Sequence, residues 1–537
     1  MRDWTTTIHR AATAGTQKSS FLIDMSTVID APTTADALDS PTIATVDPPR
    51  RGHWIDRWEP DDEQFWGETG QKIAKRNLAL SIFAEHIGFS VWVIWTIIVI
   101  NLANIGITMS LSEQFMLTLV PNLIGSILRI PYTFAVPRFG GRAWTTISAS
   151  LLFIPAVLLA VVVPSGWLAH QSHSGQFWVL FLCAATAGLG GGNFSSSMAN
   201  ISFFYPEKKK GFALGLNAAG GNLGVAVAQL FVPLVIIIGV ASKAVKLPKH
   251  QVHLAYAGLM WLPLIAIASI GAWVFMDSLT QAKADTKSYV MALRNGQTWI
   301  MSVLYIGTFG SFIGFSFALP LVIKNTFPEF LAGHPFIAAY LAGLGFVGAL
   351  IGSLSRPVGG WLSDQVGGAR VTLVVFIGMA VFTAAAIVGV ENRSFALFFG
   401  SYMVIFFLSG LGNGSTYKMI PSIFALLGRT HAAETGAEPA AAAVEYKRRA
   451  AAVIGIAGAI GAFGGVLIQV ALRQASLNVS ALVKAAKTPA AKVSVAAAHS
   501  NWSVPALWVF FVCYLGFAAI TWVVYLNKKA GSANVVV

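Results

Sequence analysis

Twelve apolar runs dominate this 537-residue sequence. A helix needs about 20 consecutive apolar residues to cross the hydrocarbon core of a bilayer, and each run reaches that length. Only 11% of the residues are charged, whereas a soluble domain has about 25%, so most of the surface must face lipid. The sequence therefore predicts an all-α membrane protein with twelve transmembrane helices, at residues 79–103, 114–136, 143–163, 176–204, 211–239, 255–276, 298–323, 339–363, 370–390, 396–426, 450–473 and 505–527.

The polar segments divide the chain into domains. No apolar core of a signal peptide occurs in the first 78 residues. The first 50 residues are rich in Ser, Thr, Asp and Pro, and we expect them to be disordered. The predicted domains are an amino-terminal segment 1–78, a six-helix half 79–276, a linker 277–297, a second six-helix half 298–527 and a tail 528–537.

Basic residues in the loops predict the orientation of the helices. The loops at 138–142, 207–211, 283–294 and 445–449 are basic, whereas the loops after the first and third helices contain no Lys or Arg. The positive-inside rule then puts both termini in the cytoplasm and the protein in the cytoplasmic (inner) membrane. The net charge of +13 is accordingly an orientation signal. We find no nucleic-acid, metal or cofactor motif and predict no enzyme activity.

Three sequence patterns recur at an offset of six helices. IGSILRIP around Arg129 in helix 2 matches IGSLSRP around Arg356 in helix 8. GLGGGN in helix 4 matches GLGNGS in helix 10, and glycine runs occur in helices 5 and 11. The repeat predicts two pseudo-symmetric six-helix halves with substrate bound between them. Small residues let helices approach closely, so we expect helix packing at Gly211, Gly215, Gly221, Gly224, Gly455, Gly461, Gly464 and Gly465.

The two arginines lie deep in their predicted helices. A charged side chain at the bilayer centre costs at least ~2.5–3.5 kcal/mol. Glu85 in helix 1 is the only deep carboxylate, so the two arginines outnumber the acids that could compensate them. The rigid guanidinium fork suits planar oxyanions because it donates paired hydrogen bonds. The residues thus predict an anion carrier without specifying the anion.

Two glycine-rich segments are distinctive, GFALGLNAAGGNL at 211–223 and GIAGAIGAFGGVL at 455–467. They resemble the two signatures of the nitrate/nitrite porter family, the NarK/NarU-type proteins of the major facilitator superfamily, and the first segment is the more specific match. The resemblance extends over about residues 54–527. It implies transport of nitrate and nitrite by alternating access. Because a carrier of twelve helices can work as a single chain, we expect a monomer in the lipid bilayer, and we expect no cofactor.

The resemblance also implies roles for individual residues. Arg129 and Arg356 match the arginines that clamp the anion, and Asn222 matches an asparagine that hydrogen-bonds substrate. The aromatic residues that would enclose the anion are Phe89, Phe194, Tyr305, Phe309 and Tyr417. The chain departs from the family pattern at Ala218 and Ala219, where glycines are usual, at Tyr417, often phenylalanine, and at Lys418, where a neutral residue is expected.

Two coupling modes fit a double-arginine site. In nitrate/nitrite antiport, which we favour, the empty carrier resists reorientation until an anion binds. In nitrate/proton symport, Glu85 and His86 are the candidates for protonation, unless Glu85 forms an ion pair with Lys418 or an arginine. A channel, and a carrier of another small inorganic or organic anion, are the alternative function classes.

Overall fold

A computed structural model of the chain describes residues 50–238, 252–282 and 286–527. The expected disorder before residue 50 and the predicted tail at 528–537 lie outside the described residues. The described part contains twelve long helices, one for each predicted run. We number them α1 to α12: Glu63–Ile105, Leu111–Phe139, Gly141–Val161, His173–Phe204, Glu207–Val235, Ala255–Phe275, Gly296–Thr326, Gly345–Val366, Gly368–Glu391, Phe395–Thr435, Pro439–Ala485 and Val504–Leu526.

Eleven of these helices are, among the described residues, long and apolar enough to cross a membrane. The twelfth, α8, has 22 residues and carries Arg356. Its arginine, glycines and serines lower its mean hydropathy, which is the expected consequence of building a polar site into a spanning helix. The twelve helices agree with the predicted fold class.

Burial separates central helices from peripheral ones. The most apolar stretches of α1 and α7 are 83% and 94% buried, whereas those of α6 and α12 are only 33% and 28% buried. Both pairs are related by the same offset of six helices as the sequence repeat. Helices α1 and α7 are therefore central, and α6 and α12 present exposed apolar side chains such as Trp273 and Val512 for contact with lipid.

Several helices extend beyond the predicted apolar runs. Helix α1 begins at Glu63, sixteen residues before the predicted residue 79. Asp62 caps this end by accepting a hydrogen bond from the backbone amide of Phe65 at 2.8 Å. Helices α10 and α11 have 41 and 47 residues, about twice the length that a bilayer requires. Hydropathy marks only the part of a helix within the membrane, so it missed the polar turns that continue outside.

A small three-stranded sheet joins the amino-terminal segment to the predicted linker. Arg50–Arg51 pairs antiparallel with Trp54–Ile55, which pairs parallel with Ser278–Leu279. We call the side of the bundle that carries this sheet the terminal side, and the opposite side the distal side. The shorter helices are Gly166–Ala169, Thr286–Leu293, Pro328–Gly333, Pro335–Tyr340 and Pro489–Ala498.

Candidate anion-binding site

Two arginines, one from each six-helix half, lie against the same aromatic ring. Arg129 of α2 is fully buried and Arg356 of α8 is 5% exposed. The guanidinium carbon of Arg129 is 4.7 Å from the ring centroid of Phe194, and that of Arg356 is 5.8 Å from it. The fold therefore brings both predicted arginines to one place between the halves.

The Arg129 guanidinium is held by backbone carbonyls from both halves. Its Nε donates to the carbonyl of Gly191 in α4 at 3.2 Å, and its Nη1 donates to that of Gly458 in α11 at 2.9 Å. Trp92 and Phe309 lie 5.5 and 4.9 Å from the guanidinium carbon. Its Nη2 has no hydrogen-bond partner among the described residues. Arg129 is thus positioned by neutral groups, and its charge is not cancelled by them.

Arg356 has a similar surrounding in the second half. Its Nη2 donates to the hydroxyl of Tyr305 at 3.1 Å, and the ring of Tyr417 lies 5.3 Å from its guanidinium carbon. In the part of the chain that the structure describes, its Nη1 has no partner. Each arginine therefore keeps one buried nitrogen that can donate to a bound anion.

Stacked aromatic rings connect the two arginines. Tyr305 and Phe309 stack at 5.3 Å with an interplanar angle of 10°, and Phe309 and Phe194 stack at 6.0 Å and 24°. A π-helical turn of α7, Ile306–Gly310, lies between Tyr305 and Ser311 and carries Phe309. Such turns occur often at functional sites. The apolar rings lower the local dielectric constant, which strengthens attraction between arginine and anion.

Two further predicted site residues are Phe89 and Asn222. Phe89 packs behind the site, 6.1 Å from Phe194 and 5.3 Å from Trp92 between ring centroids. Asn222 of α5 is 1% exposed, and neither of its amide atoms has a hydrogen-bond partner among residues 50–238, 252–282 and 286–527. A buried amide without a partner is costly, and a bound ligand could satisfy it.

The carboxylate of Glu85 lies in a polar cluster beside the site. Its Oε2 accepts from Asn217 Nδ2 at 2.9 Å, and the same nitrogen lies 2.7 Å from Ser197 Oγ. This cluster connects α1, α4 and α5. His86 points elsewhere on α1, and its Nδ1 donates to the carbonyl of Gly220 at 3.0 Å.

Lys418 does not pair with Glu85. Its ammonium lies 2.7 Å from the carboxylate of Asp364, and both side chains are half exposed. The prediction of an ion pair between Glu85 and Lys418, one of the alternatives from the sequence, is therefore wrong. Lys418 follows Tyr417 in α10 and points away from the buried face because adjacent helical residues diverge by about 100°.

The signature glycines fall into two groups. A Cβ at Gly221 would approach Glu85 Oε1 to 2.3 Å, and one at Gly224 would approach the carbonyl of His86 to 2.2 Å. In the second half, a Cβ at Gly461 would meet Tyr305 at 2.4 Å. A Cβ at Gly464 would meet Gly310 at 2.9 Å, and one at Gly465 would meet Asn122 at 2.5 Å. These five glycines mark close crossings of α1 with α5 and of α11 with α7 and α2.

The remaining signature glycines pack loosely or not at all. A Cβ at Gly455 would lie 3.4 Å from the hydroxyl of Tyr289, an ordinary contact. At Gly211 and Gly215, no heavy atom of the described residues would lie within 4 Å. The structure thus places no packing partner against these two glycines, contrary to the expectation from the sequence.

Sequence reasoning missed three residues near the site. Trp92 follows Phe89 by one helical turn, so its contact with Arg129 could have been expected from helical spacing. Asn217 and Asn413 are buried asparagines inside the glycine patterns already identified. Their polarity within apolar helices was a usable signal. In the described ranges, no group of three or more His, Cys, Asp or Glu residues could hold a metal ion.

Comparisons with known proteins show which family the chain resembles. The sequence model of the Major Facilitator Superfamily matches residues 78–468. The nitrate/nitrite transporter NarU of Escherichia coli (strain K12) is 36% identical over 480 residues, which are 88% of this chain and 96% of NarU. A probable nitrate/nitrite antiporter of Thermus thermophilus, NarK2, is 36% identical over 389 residues, 70% of this chain and 84% of that protein.

A solved structure supports the fold alone. The bacterial homologue of the human lysosomal transporter Spinster, in an inward-facing and occupied conformation, superimposes with a TM-score of 0.57 at 16% identity. The alignment covers 83% of this chain and 95% of that chain. At this identity the likeness concerns helix arrangement and carries no information about substrate.

Proposed function

The chain belongs to the Major Facilitator Superfamily and, within it, to the family of the nitrate/nitrite transporters, and we propose that it carries nitrate and nitrite across the membrane by alternating access. The observation that carries this proposal is the pair of buried arginines against Phe194, each with one unpartnered nitrogen. A planar oxyanion between them would receive charge-assisted hydrogen bonds from both halves at once. The bound anion would thereby hold the two six-helix halves together through one arginine of each.

Contacts between the halves support a state that is closed on the distal side. Gln229 of α5 donates to the carbonyl of Ser316 in α7 at 2.7 Å. Thr118 of α2 donates to Gln469 of α11 at 3.0 Å. Toward the terminal side of α5, Phe212 and Leu216 are 76% and 45% exposed, and Cβ atoms at Gly211 and Gly215 would meet no heavy atom of the described residues within 4 Å. Alternating access would require the distal contacts to break as one half rocks on the other.

Antiport of nitrate and nitrite is the favoured coupling mode. The carbonyls and rings around the arginines are neutral. When the empty carrier closes around the site during reorientation, the arginine charges are buried without compensation, which is costly. An anion removes this cost, so the loaded carrier reorients more readily than the empty one. Obligatory exchange follows, and nitrite leaving the cell would drive nitrate entering it.

Nitrate/proton symport is the second candidate because of the buried Glu85. This carboxylate is 1% exposed and hydrogen-bonded to Asn217 on the same helix as Asn222. Protonation of Glu85 would remove a buried negative charge near the anion site and so favour anion binding. His86 is the other candidate for protonation, since its Nδ1 donates to the carbonyl of Gly220 and Nε2 can accept a proton.

Transport into liposomes tests the proposal and separates the two modes. Purified protein is reconstituted, and labelled nitrate uptake is measured into vesicles that are empty, loaded with nitrite, or empty with an inward proton gradient. Uptake only into nitrite-loaded vesicles supports antiport, and gradient-driven uptake into empty vesicles supports symport. No uptake above protein-free vesicles in any condition would refute nitrate transport, and linear, non-saturating uptake would favour a channel over a carrier.

Membrane placement and oligomeric state complete the proposal. We place both termini in the cytoplasm because the basic loops at 138–142 and 207–211 follow the positive-inside rule. We place the carrier in the cytoplasmic (inner) membrane because its relatives include the bacterial nitrate/nitrite transporter NarU. Since both arginines come from one chain, a monomer supplies the whole site. Cysteine labelling from either side of sealed vesicles would test the orientation.

A further inference from the structure

Asn413 is a fully buried asparagine in α10 that none of the predictions above uses. Its side chain is 0% exposed, and neither its Nδ2 nor its Oδ1 has a hydrogen-bond partner among the described residues. Leaving a buried amide unpaired costs about 1–3 kcal/mol. Such a group inside an apolar bundle needs either a structural partner or a ligand.

The contacts of α10 show which face Asn413 occupies. Gly410 and Gly414 abut α8, where added Cβ atoms would meet Ser355 Oγ at 2.0 Å and the carbonyl of Arg356 at 2.2 Å. Ser415 bonds Thr372 of α9 at 2.8 Å, and Thr416 lies 3.3 Å from Thr308 of α7. With 3.6 residues per turn, Asn413 and Tyr417 share a direction that lies between the contact of Thr416 with α7 and the contact of Gly410 with α8.

Tyr417 identifies what lies in that direction. It follows Asn413 by four residues, so the two side chains are neighbours along the helix. Its ring lies 5.3 Å from the Arg356 guanidinium carbon and 6.2 Å from the ring of Tyr305. Asn413 therefore lies one helical turn from Tyr417, on the face of α10 that borders the arginine site.

The sequence repeat gives an independent comparison. Aligning GLGGGN of α4 with GLGNGS of α10 places Asn413 opposite Gly191. The carbonyl of Gly191 accepts from Arg129, and a Cβ there would meet Trp92 at 2.5 Å. The first half thus excludes a side chain at this position, whereas the second half introduces an amide. The two halves are chemically different at equivalent places beside the site.

We propose that Asn413 is a further anion-binding residue, whose Nδ2 donates a hydrogen bond to an oxygen of the bound oxyanion. This inference rests on the proposed function. Asn413 approaches from the second half, as Asn222 does from the first, so each half supplies one arginine and one amide. The neutral amide adds a donor without adding charge to a site that already holds two buried cations.

Nitrate titration of purified protein by calorimetry tests this assignment. The variants are Asn413→Ala, which removes the amide, and Asn413→Asp, which keeps the shape but replaces the donor by a carboxylate. The matched control is Asn193→Ala, since Asn193 is also buried with an unpartnered amide but packs against Gly88 of α1. Thermal unfolding without ligand is recorded for every protein.

We expect the dissociation constant for nitrate to rise about tenfold in Asn413→Ala and further in Asn413→Asp, because a hydrogen bond to a charged group is lost and a repulsion is added. The unfolding temperature without nitrate should fall little in Asn413→Ala. Asn193→Ala should retain the wild-type affinity. Wild-type affinity in both Asn413 variants, or an equal loss of affinity in Asn193→Ala, would overturn the inference while leaving nitrate transport intact. Failure of the wild type to bind nitrate or nitrite would overturn the proposed function as well.

Discussion

At the scale of single residues, the site is defined by two arginines whose hydrogen-bond partners carry no charge. Arg129 is bonded to two carbonyls and Arg356 to a tyrosine hydroxyl, all of them neutral groups. Neutral partners fix the direction of a guanidinium and leave its charge available to a ligand. The same geometry with carboxylate partners would have been an internal salt bridge with little affinity for anions.

Arg129→Lys and Arg356→Lys should each reduce nitrate exchange by about 100-fold or more. Lysine keeps the charge but donates from one nitrogen, so it cannot hold a planar partner and bind an oxyanion simultaneously. Counterflow of labelled nitrate in liposomes measures the loss. Arg370→Lys is the control, since Arg370 is exposed and bonds only weakly to the carbonyl of Val366 at 3.5 Å. Transport at unchanged apparent affinity in the two site variants would exclude the arginine clamp.

Glu85→Gln distinguishes antiport from symport by replacing one carboxylate oxygen with an amide nitrogen. Glutamine retains the size of the side chain and can still accept from Asn217, but it cannot bind and release a proton. Under antiport, exchange into nitrite-loaded vesicles should change less than about threefold, which is under 1 kcal/mol. Under symport, uptake driven by a proton gradient should disappear. Gradient-driven uptake that persists in Glu85→Gln would eliminate Glu85 as the coupling group.

The residues that sequence reasoning could anticipate are those with an unusual chemical character for their surroundings. Arg129, Arg356 and Glu85 are charged residues in apolar runs, and the structure places all three in the interior. Partners depend on the rotation of each helix, which composition does not encode. That is why the pairing of Lys418 with Asp364 was found only in the structure.

At the scale of elements, close helix crossings determine where α5 and α11 can move. The crossing of α5 with α1 leaves 2.2 Å between an added Cβ at Gly224 and the carbonyl of His86. The crossing of α11 with α7 leaves 2.9 Å between an added Cβ at Gly464 and the Cα of Gly310. Backbone atoms cannot rotate away, so these crossings require glycine. The open positions Gly211 and Gly215 show that a glycine-rich signature is not uniformly a packing surface.

Gly224→Ala should therefore lower stability, whereas Gly215→Ala should not. Gly224→Ala forces α1 and α5 apart and should destabilise the protein by about 1–3 kcal/mol, as overpacking does. Gly215→Ala meets no neighbour and should be neutral or stabilising, since alanine favours helices over glycine by up to about 1 kcal/mol. Thermal unfolding in detergent compares the two. Equal unfolding temperatures would contradict the close crossing of α1 and α5.

The small sheet on the terminal side should depend on the buried carboxylate of Asp277. That side chain is 2% exposed and is paired with Arg76 and with His53 at 3.5 Å, while its backbone amide donates to Asn77 at 3.1 Å. Asp277→Asn should lower stability by about 1–3 kcal/mol because a buried carboxylate that accepts a charge-assisted hydrogen bond from Arg76 is replaced by a neutral amide. The control Asp364→Asn removes a half-exposed pair worth about 0–1 kcal/mol. A greater loss in the control would show that the sheet does not depend on Asp277.

Helix number and approximate position were predictable, whereas helix ends and the sheet were not. Apolar runs indicate spans because lipid contact selects them. The strands Trp54–Ile55 and Ser278–Leu279 have two residues each and are more than 200 positions apart, so no local pattern could reveal their pairing. Their formation depends on tertiary contacts, including the packing of Trp58 against Phe204.

At the scale of the whole molecule, the distal contacts determine which side the site can open to. Thr118–Gln469 and Gln229–Ser316 join the two halves beyond the arginines. Nearer the distal surface, the backbone amide of Ser112 in α2 donates to Ser480 Oγ of α11 at 3.2 Å. A carrier must separate these pairs once in every cycle, whereas a protein with a fixed pore need not.

A disulfide between positions 112 and 480 would test that requirement. The double variant Ser112→Cys/Ser480→Cys, in a background with Cys183→Ala and Cys513→Ser, should crosslink on oxidation because the two positions are in contact. Nitrate counterflow should then fall at least about tenfold, since a crosslink that holds the distal side closed prevents one of the two facing states. A reducing agent should restore it, and each single-cysteine variant should be insensitive to oxidation. Full counterflow in crosslinked protein would mean that the halves need not part at this point, and a failure to crosslink would contradict the distal contact itself.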